Sequence, residues 1–346
     1  MKIMITGATG FVGSKLMLSL LDEGHILYPV VRNQHKIDQF INNTTPDQAA
    51  RIHPVSGDIT RTDFGIHYTD SLTGNIDILY HTAAYLSFDP NDRKKTFDVN
   101  VDGTKHALEL AEKLQIPAFY HVSTAYTSGL DDLSYEDIHS SDRPFVNDYE
   151  ESKNHAEHLV WDKRDQLKVS IFRPSIIVGD TTTGEADTTF ALYGLLKAVA
   201  LLKKLVARGR VDQNKMIKLL CDPEASNNVV PVNYVVDVLT AAAHYAEANK
   251  IYHISNNHAP KNATVMEWIK EQSGVENLAV TANAVELSKE DAVINAPMRV
   301  FHSYLSRTVI FKDDHTKALL EKAGHDPFEL TDQQYQMLIE TYFKQH

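Results

Sequence analysis

The sequence predicts an α/β fold: a doubly wound parallel sheet with a smaller, mostly helical C-terminal lobe interleaved with it. Three observations carry this. Short β-type runs alternate with amphipathic segments through the first half, a glycine-rich turn joins the first run to the first helical segment, and after Gly179 helical patterns take over. The candidate strands are Lys2–Thr6, Ile26–Arg32, Ile52–Asp58, Ile76–Ala84, Ala118–Thr124 and Val169–Val178. After Gly103, Ala107, Leu110, Ala111 and Leu114 recur at helical spacing and mark one buried face. Right-handed crossovers between such strands make the sheet parallel. Pro29 removes one ladder donor from the second strand, so a local irregularity is expected there.

Beyond Gly179, residues 188–208 read as a long apolar helix ending in Lys203, Lys204 and Arg208. Residues 229–232 lead into a helix through Ala248, and Ile251–Ser255 reads as one more strand of the sheet. Short helices fill the tail, the last near Asp332–Phe343. The expected division is a sheet domain at 1–180, with 229–256 returning to it, and a second lobe built from 181–228 and 257–346. There is no internal repeat and no low-complexity linker.

Bulk properties narrow the function class. A net charge of -12, without any long Lys/Arg cluster, argues against nucleic acid as a partner. Cys221 is the single cysteine, which excludes an internal disulfide and suits a reducing compartment; nothing near it in sequence would activate the thiol as a nucleophile. The opening Met-Lys-Ile-Met-Ile-Thr-Gly is too short an apolar run for a signal peptide. No stretch approaches the roughly 20 apolar residues of a membrane span. A soluble, cytoplasmic protein is expected.

The strongest local signal is Thr6-Gly7-Ala8-Thr9-Gly10-Phe11-Val12-Gly13, between the first strand and the first helix. Gly7 permits the tight turn, Gly10 lets the backbone approach a pyrophosphate, and Gly13 allows close helix–sheet packing. The helix N-terminus then holds the anion, which predicts a Rossmann dinucleotide site including Thr9, Phe11 and Val12. At the end of the second strand an acidic residue would bind a ribose 2′-hydroxyl; Arg32 stands there instead and suits a 2′-phosphate. The cofactor expected is therefore NADPH rather than NADH. Asp58, in Gly57-Asp58-Ile59, either accepts from the adenine amino group or caps the following turn.

Tyr149 and Lys153 stand at i and i+4 on a helix expected to run to about Gln166. A tyrosine with a pKa of about 10 is a poor proton shuttle at neutral pH, and an adjacent ammonium is expected to lower it. Spacing alone decides little, because Tyr193 and Lys197 repeat it. The first pair follows the fifth strand, whose end carries Ser123 and Thr124, and parallel sheets place ligands at the carboxyl ends of their strands. Tyr193 lies within an apolar helix and reads as packing.

The chain here resembles the extended short-chain dehydrogenases/reductases. The matching stretches are TGATGFVG at 6–13, GDI at 57–59, HTAA at 81–84, NVDGT at 100–104, VSTAY at 122–126, YEESK at 149–153 and RPSIIVGD at 173–180. The resemblance implies that Thr124, with Ser123 as the alternative, hydrogen-bonds the substrate carbonyl. It implies too that Lys153 also holds the nicotinamide ribose, that Asn100 is the family's strand-flanking asparagine, and that Pro174, Ser175 and Ile176 line the nicotinamide. Ile59, Thr82, Ala83 and Ala84 fall in its cofactor stretches. VSTAY, RPSIIVGD and Thr183-Gly184-Glu185 look most like the thioester reductase and fatty acyl-CoA reductase (male-sterility-type) branch, although no adenylation or carrier domain is present.

Other features read as structure. His155 and His158 lack a third ligand at metal spacing, and no metal site is expected. His81, His121 and His253 sit on strands and suit packing or hydrogen bonding. Asp70-Ser71-Leu72 copies a carrier's phosphopantetheine site by chance. The stretch 190–207 suits an acyl chain or a membrane surface, and suits a core helix slightly better. The reading is an NADPH-dependent reductase of a small-molecule carbonyl or acyl-thioester substrate, with a homodimer left open. Its rivals are a nucleotide-sugar epimerase or dehydratase with bound NAD, disfavoured by Arg32, and a non-catalytic dinucleotide sensor, which has no use for a proton donor.

Overall fold

The computed structural model describes residues 1–66, 70–186, 192–326 and 328–345. The start of the expected helix at 188–191 lies outside the described residues. The chain forms two compact units: Met1–Ser175 with Tyr234–Ile254 and Phe311–Pro327, and Ile176–Asn233 with Ser255–Ile310 and Phe328–His346.

The first unit is built on seven strands, β1 (Lys2–Thr6), β2 (Ile26–Val31), β3 (Val55–Ser56), β4 (Ile78–His81), β5 (Ala118–Val122), β6 (Lys168–Pro174) and β7 (Lys250–Ile254). Their order is β3-β2-β1-β4-β5-β6-β7 and every pairing is parallel. This is the Rossmann order with one strand added at the far edge. The central strands are buried along their whole length, as a sheet covered on both faces requires. The helices that matter to the site are α1 (Phe11–Asp22), α2 (Gly103–Lys113) and α3 (Asp148–Trp161). Ala107, Leu110 and Ala111 of α2, and Leu114 just after it, are fully buried in one cluster with Phe119, Val169 and Ile171.

One sequence expectation is met and another needs correcting. The local irregularity expected at Pro29 falls on one side only of β2, which stays in register with β1. Leu27 bonds toward residues 51 and 53, so Pro29, two positions on, faces the same side, and there the ladder lapses between the Leu27–Ile52 bridge and Val55. The missing donor thus shortens the neighbouring edge strand. The run 169–178, expected as one strand, is two. It leaves the sheet after Pro174, and Ile176–Val178 pairs with Val229–Pro231 in a separate parallel pair of the second unit.

In the second unit, the helix Leu192–Ala207 buries Leu192, Tyr193, Leu195, Leu196, Val199 and Leu202. Its Gly194 admits the Phe301 ring so closely that a Cβ would lie 2.6 Å from it. Those apolar residues are spent on packing, as the core-helix reading holds. Among the described residues no helix is long and apolar enough to cross a membrane.

A buried ion pair anchors α3. Arg173 of β6 donates through Nε and Nη2 to the two Glu157 oxygens, at 2.9 and 2.7 Å, and neither side chain is more than 1% exposed. Arg173 Nη1 also reaches the Tyr135 carbonyl and the Nε2 atoms of His139 and His253. Burial first, then the Arg173 charge, hold His139 down to about 4 and His253 well below the ordinary range. Burial and the Lys153 charge likewise hold His81 down to about 3 and His121 well below normal.

These depressed values set the pH dependence of stability. The unfolded chain takes up protons at about 6.5, where the folded histidines refuse them, so stability rises with pH and is lost as pH falls below about 6.5. His139 alone accounts for about 2 kcal/mol of that loss by pH 5. Urea unfolding at pH 7, 6 and 5 should show a steady decline; equal stability at pH 7 and 5 contradicts this account.

Candidate active site

The glycine turn is enforced by backbone contacts. Gly7 has φ +70°, and a Cβ there would lie 2.6 Å from Thr82 Oγ1 and 2.7 Å from the Ala83 nitrogen. A Cβ at Gly13 would lie 2.2 Å from the Gly7 carbonyl oxygen. Gly10 is the N-cap of α1 and donates its own N–H to Gly7, at 2.9 Å. No side chain caps the helix, and Phe11, Val12 and Gly13 put no acid in its first turn. Its positive end is therefore presented beside the exposed Thr9 and Gly10.

The far wall of the turn is set by the residues after β4. Thr82 Oγ1 donates to the Thr6 carbonyl at 2.7 Å, and the Ala83 N–H approaches Thr6 Oγ1 at 3.4 Å, with the exposed Ala84 next in the chain. Thr6 in turn bonds His81 Nδ1 at 2.8 Å, and His81 Nε2 bonds Thr104 Oγ1 at 3.1 Å. Thr104 spends its proton on the Asn100 carbonyl, so His81 Nε2 carries the ring proton and Nδ1 accepts from Thr6.

Arg32 follows β2, exposed, and makes no hydrogen bond or salt bridge of its own among the described residues. Asp58 lies across from it. Burial raises the Asp58 pKa, but two hydrogen bonds from Thr60 and the charges of Arg32 and Arg61 bring it below normal. Those bonds, at 3.0 and 2.9 Å to one oxygen, make Asp58 a turn cap, the plainer of its two readings. Ile59 packs against Gly103 and gives its carbonyl to His106.

The acid–base candidates gather beyond the carboxyl end of β5. Lys153 is buried and donates to the Val122 carbonyl at 2.7 Å and to His121 Nε2 at 3.4 Å. Burial lowers it to about 8, with the Glu157 charge opposing. Asn147 caps α3, and Tyr149 sits in its first turn with its ring edge-on to Phe88. Burial and the Glu150 carboxylate raise the Tyr149 pKa, opposite to the direction expected from sequence. The reason is geometric: Lys153 aims its ammonium into the protein interior. Thr124 is 8% exposed and its oxygen accepts from the Tyr126 N–H, leaving the hydroxyl proton available. Burial raises the Glu157 pKa, but the charge and hydrogen bonds of Arg173 bring it below the ordinary range; the Ser123 hydroxyl is buried close by.

Asn100 lies in a π-helical turn, Asp98–Asp102, of the kind that recurs at functional sites. Its side chain accepts from Tyr85 N–H and donates to the Tyr85 carbonyl and to Ser152 Oγ. It ties the segment after β4 to α3. Pro174 ends β6, and Ser175 bonds through its N–H to Ile254 while its buried hydroxyl has no partner among the described residues. Ile176 belongs to the second unit and bonds Asn228.

Glu157 and Arg173 were not singled out from sequence. The available signal was Tyr149, Lys153 and Glu157 at i, i+4 and i+8, one continuous stripe of the helix. A cleft of about 440 Å³ opens beside α3, lined by Phe88, Pro90, Arg143, Phe145, Asp148 and Glu151 among others. Arg93 bridges Asp148 and Glu151. The groups set aside stay aside: burial pushes Cys221 up to about 12, His158 bonds the His139 carbonyl, and the Tyr193 hydroxyl accepts from Gly179 N–H.

Comparison with known proteins follows these residues. The family model described as male sterility protein, an NAD-binding family, matches residues 5–239. Fatty acyl-CoA reductase 2 of Mus musculus is 28% identical over 324 residues, covering 78% of this chain; the chain spans 59% of that relative. The terminal R domain from the myxalamid PKS-NRPS biosynthetic pathway shares the fold with a TM-score of 0.79 at 23% identity, covering 99% of this chain and 90% of that one. UDP-glucuronic acid 4-epimerase from Bacillus cereus, solved with NAD, shares it with a TM-score of 0.70 at 18% identity, covering 99% and 96%. With its glycine turn, its parallel sheet and more than half its length matched, this chain belongs to the male sterility protein family of NAD-binding domains, within the extended short-chain dehydrogenases/reductases.

Proposed function

We propose that this chain is an NADPH-dependent reductase of a carbonyl or acyl-thioester substrate. The observation that carries the reading is the gathering of Lys153, Thr124 and the Tyr149 helix around the end of β5, in the unit that also presents the uncapped glycine turn and the free Arg32. The turn fits a pyrophosphate, because the contacts that forbid a Cβ at Gly7 and Gly13 keep it bare backbone. Arg32 would hold the 2′-phosphate, and Ser175 offers an unsatisfied buried hydroxyl near the expected nicotinamide end. When bound, NADPH supplies hydride.

The residues do the rest. A reductase needs its acid protonated, and the raised pKa keeps Tyr149 so at neutral pH. Lys153 remains largely cationic, and two of its three donors are taken by Val122 and His121, which leaves one for the cofactor ribose. Thr124 donates to the developing oxyanion while Tyr149 delivers the proton. With a thioester, the carbon gains hydride and the oxygen gains the proton; loss of thiol then leaves an aldehyde. The name of the mouse relative supports this half of the reading. The division of labour proposed is cofactor on the first unit and substrate on the second.

Three outcomes test it. NADPH should bind more tightly than NADH by about 1.5–3 kcal/mol, the worth of a charge-assisted hydrogen bond. Arg32→Ala should remove most of that gap and spare NADH affinity; equal affinities in the unmutated protein would refute the assignment. Tyr149→Phe should keep cofactor binding while turnover falls by about 10²–10⁴-fold. Tyr193→Phe should cost stability yet leave turnover near wild type, and similar rates for the two variants would discard Tyr149 as the acid. With a medium- or long-chain acyl-CoA, free thiol should appear as NADPH is oxidised. Rapid reduction of small aldehydes or ketones with no thiol from any thioester leaves a plain carbonyl reductase.

A further inference from the structure

At the amino ends of the strands, opposite the glycine turn, three side chains converge on one point. Glu23 and His25 flank Gly24 in the turn between α1 and β2, and His244 lies in the last turn of the helix Val232–Tyr245. Gly24 has φ +84°, and this left-handed residue sets Glu23 and His25 side by side. His25 Nε2 and His244 Nε2 lie 3.2 and 3.1 Å from the same oxygen, Glu23 Oε2. All three atoms lie within 4.8 Å of one another, and the two rings stand 5.2 Å apart.

We propose that Glu23, His25 and His244 form a binding site for a zinc-like divalent transition cation, with a fourth position open to water. Tetrahedral ligands on bonds of about 2.0–2.1 Å sit about 3.3–3.4 Å apart, so the two N···O distances need only a few tenths of an ångström of adjustment. Two imidazoles and one carboxylate select zinc, cobalt or nickel over magnesium and calcium, which demand oxygen donors. The site is also half enclosed. His25 is 4% exposed, whereas the side chains of Glu23 and His244 are 38% and 44% exposed and leave a path in from solvent.

The chemistry of His25 agrees. An imidazole ligates through one ring nitrogen, and His25 Nε2 already faces Glu23 Oε2 at 3.2 Å. Without the cation, the same three groups can be joined by imidazole N–H donors shared on one carboxylate oxygen. Such a clip joins residues 221 positions apart in sequence and fastens the α1–β2 turn to the helix that leads into β7.

The test is to strip the full chain with a chelator and titrate it with Zn²⁺ by calorimetry and with Co²⁺ by visible absorbance. One zinc per chain should bind, and Co²⁺ should give the intense bands of a four-coordinate site. At a hundred times Kd the melting midpoint should rise by about 5 °C. His244→Ala should abolish this binding and Glu23→Gln should weaken it at least tenfold, which a merely hydrogen-bonded cluster would not do. Both positions are partly exposed, and unchanged metal-free melting will show that the variants fold. Zinc bound equally by wild type and His244→Ala, or not bound by wild type, overturns the site.

Discussion

The pairing of Arg173 with Glu157 is the constraint on which the rest of the first unit depends. Two full charges lie where water does not reach, and such burial is worthwhile only when the geometry is good and every remaining donor is used. Here the bidentate contact uses both carboxylate oxygens, and the remaining guanidinium nitrogen is taken up by the Tyr135 carbonyl and two histidines. The histidines must stay neutral for this to hold, and burial beside a cation keeps them so. The result joins α3, β6, β7 and the segment at 134–139 through one charge. Because Glu157 is one turn beyond Lys153, fixing it fixes the height and rotation of the ammonium above β5.

A second network runs under the glycine turn. From the Ala83 N–H it passes through Thr6, His81 and Thr104 to the Asn100 carbonyl, and from the Asn100 amide to Tyr85 and Ser152. Each hydroxyl both donates and accepts, so each proton position is determined by the next. The end of β1, the end of β4 and the face of α3 are thereby held in one register. Under the proposed function, a cofactor with its phosphates at α1 and its ring near Tyr149 would need that register, since catalysis tolerates little misplacement.

Much of this was legible in the sequence, for identifiable reasons. The central strands bury both faces and so read as continuous apolar runs, and the regular spacing of Ala107, Leu110, Ala111 and Leu114 marked α2. The glycine turn was readable because its backbone contacts leave no alternative residue. Edges were harder. β3 shrinks to two residues because Pro29 breaks the adjoining ladder, and the run at 169–178 divides at Pro174, with apolar β-type residues on both sides of the break. The buried polar residues were hardest, because Glu157, Arg173 and His139 look like surface residues until their partners, far off in sequence, are known. The cluster of Glu23, His25 and His244 escaped notice for the same reason.

The Tyr149 pKa shows how the two levels differ in kind. A spacing of four residues places an ammonium near a phenol, and in a medium of low dielectric that proximity would favour the tyrosinate. Spacing does not say where the ammonium points. Lys153 turns toward the Val122 carbonyl and His121, its charge is felt by His81 and His121, and the phenol is left with burial and the Glu150 carboxylate, which both oppose ionisation. For an enzyme that removed a proton from an alcohol this arrangement would be adverse. For one that adds a proton to a reduced carbonyl oxygen it is favourable, since the acid is loaded before substrate arrives. The buried lysine is thus less a tuner of Tyr149 than a fixed cation at the end of β5, and a phenol kept protonated is consistent with the reduction proposed above.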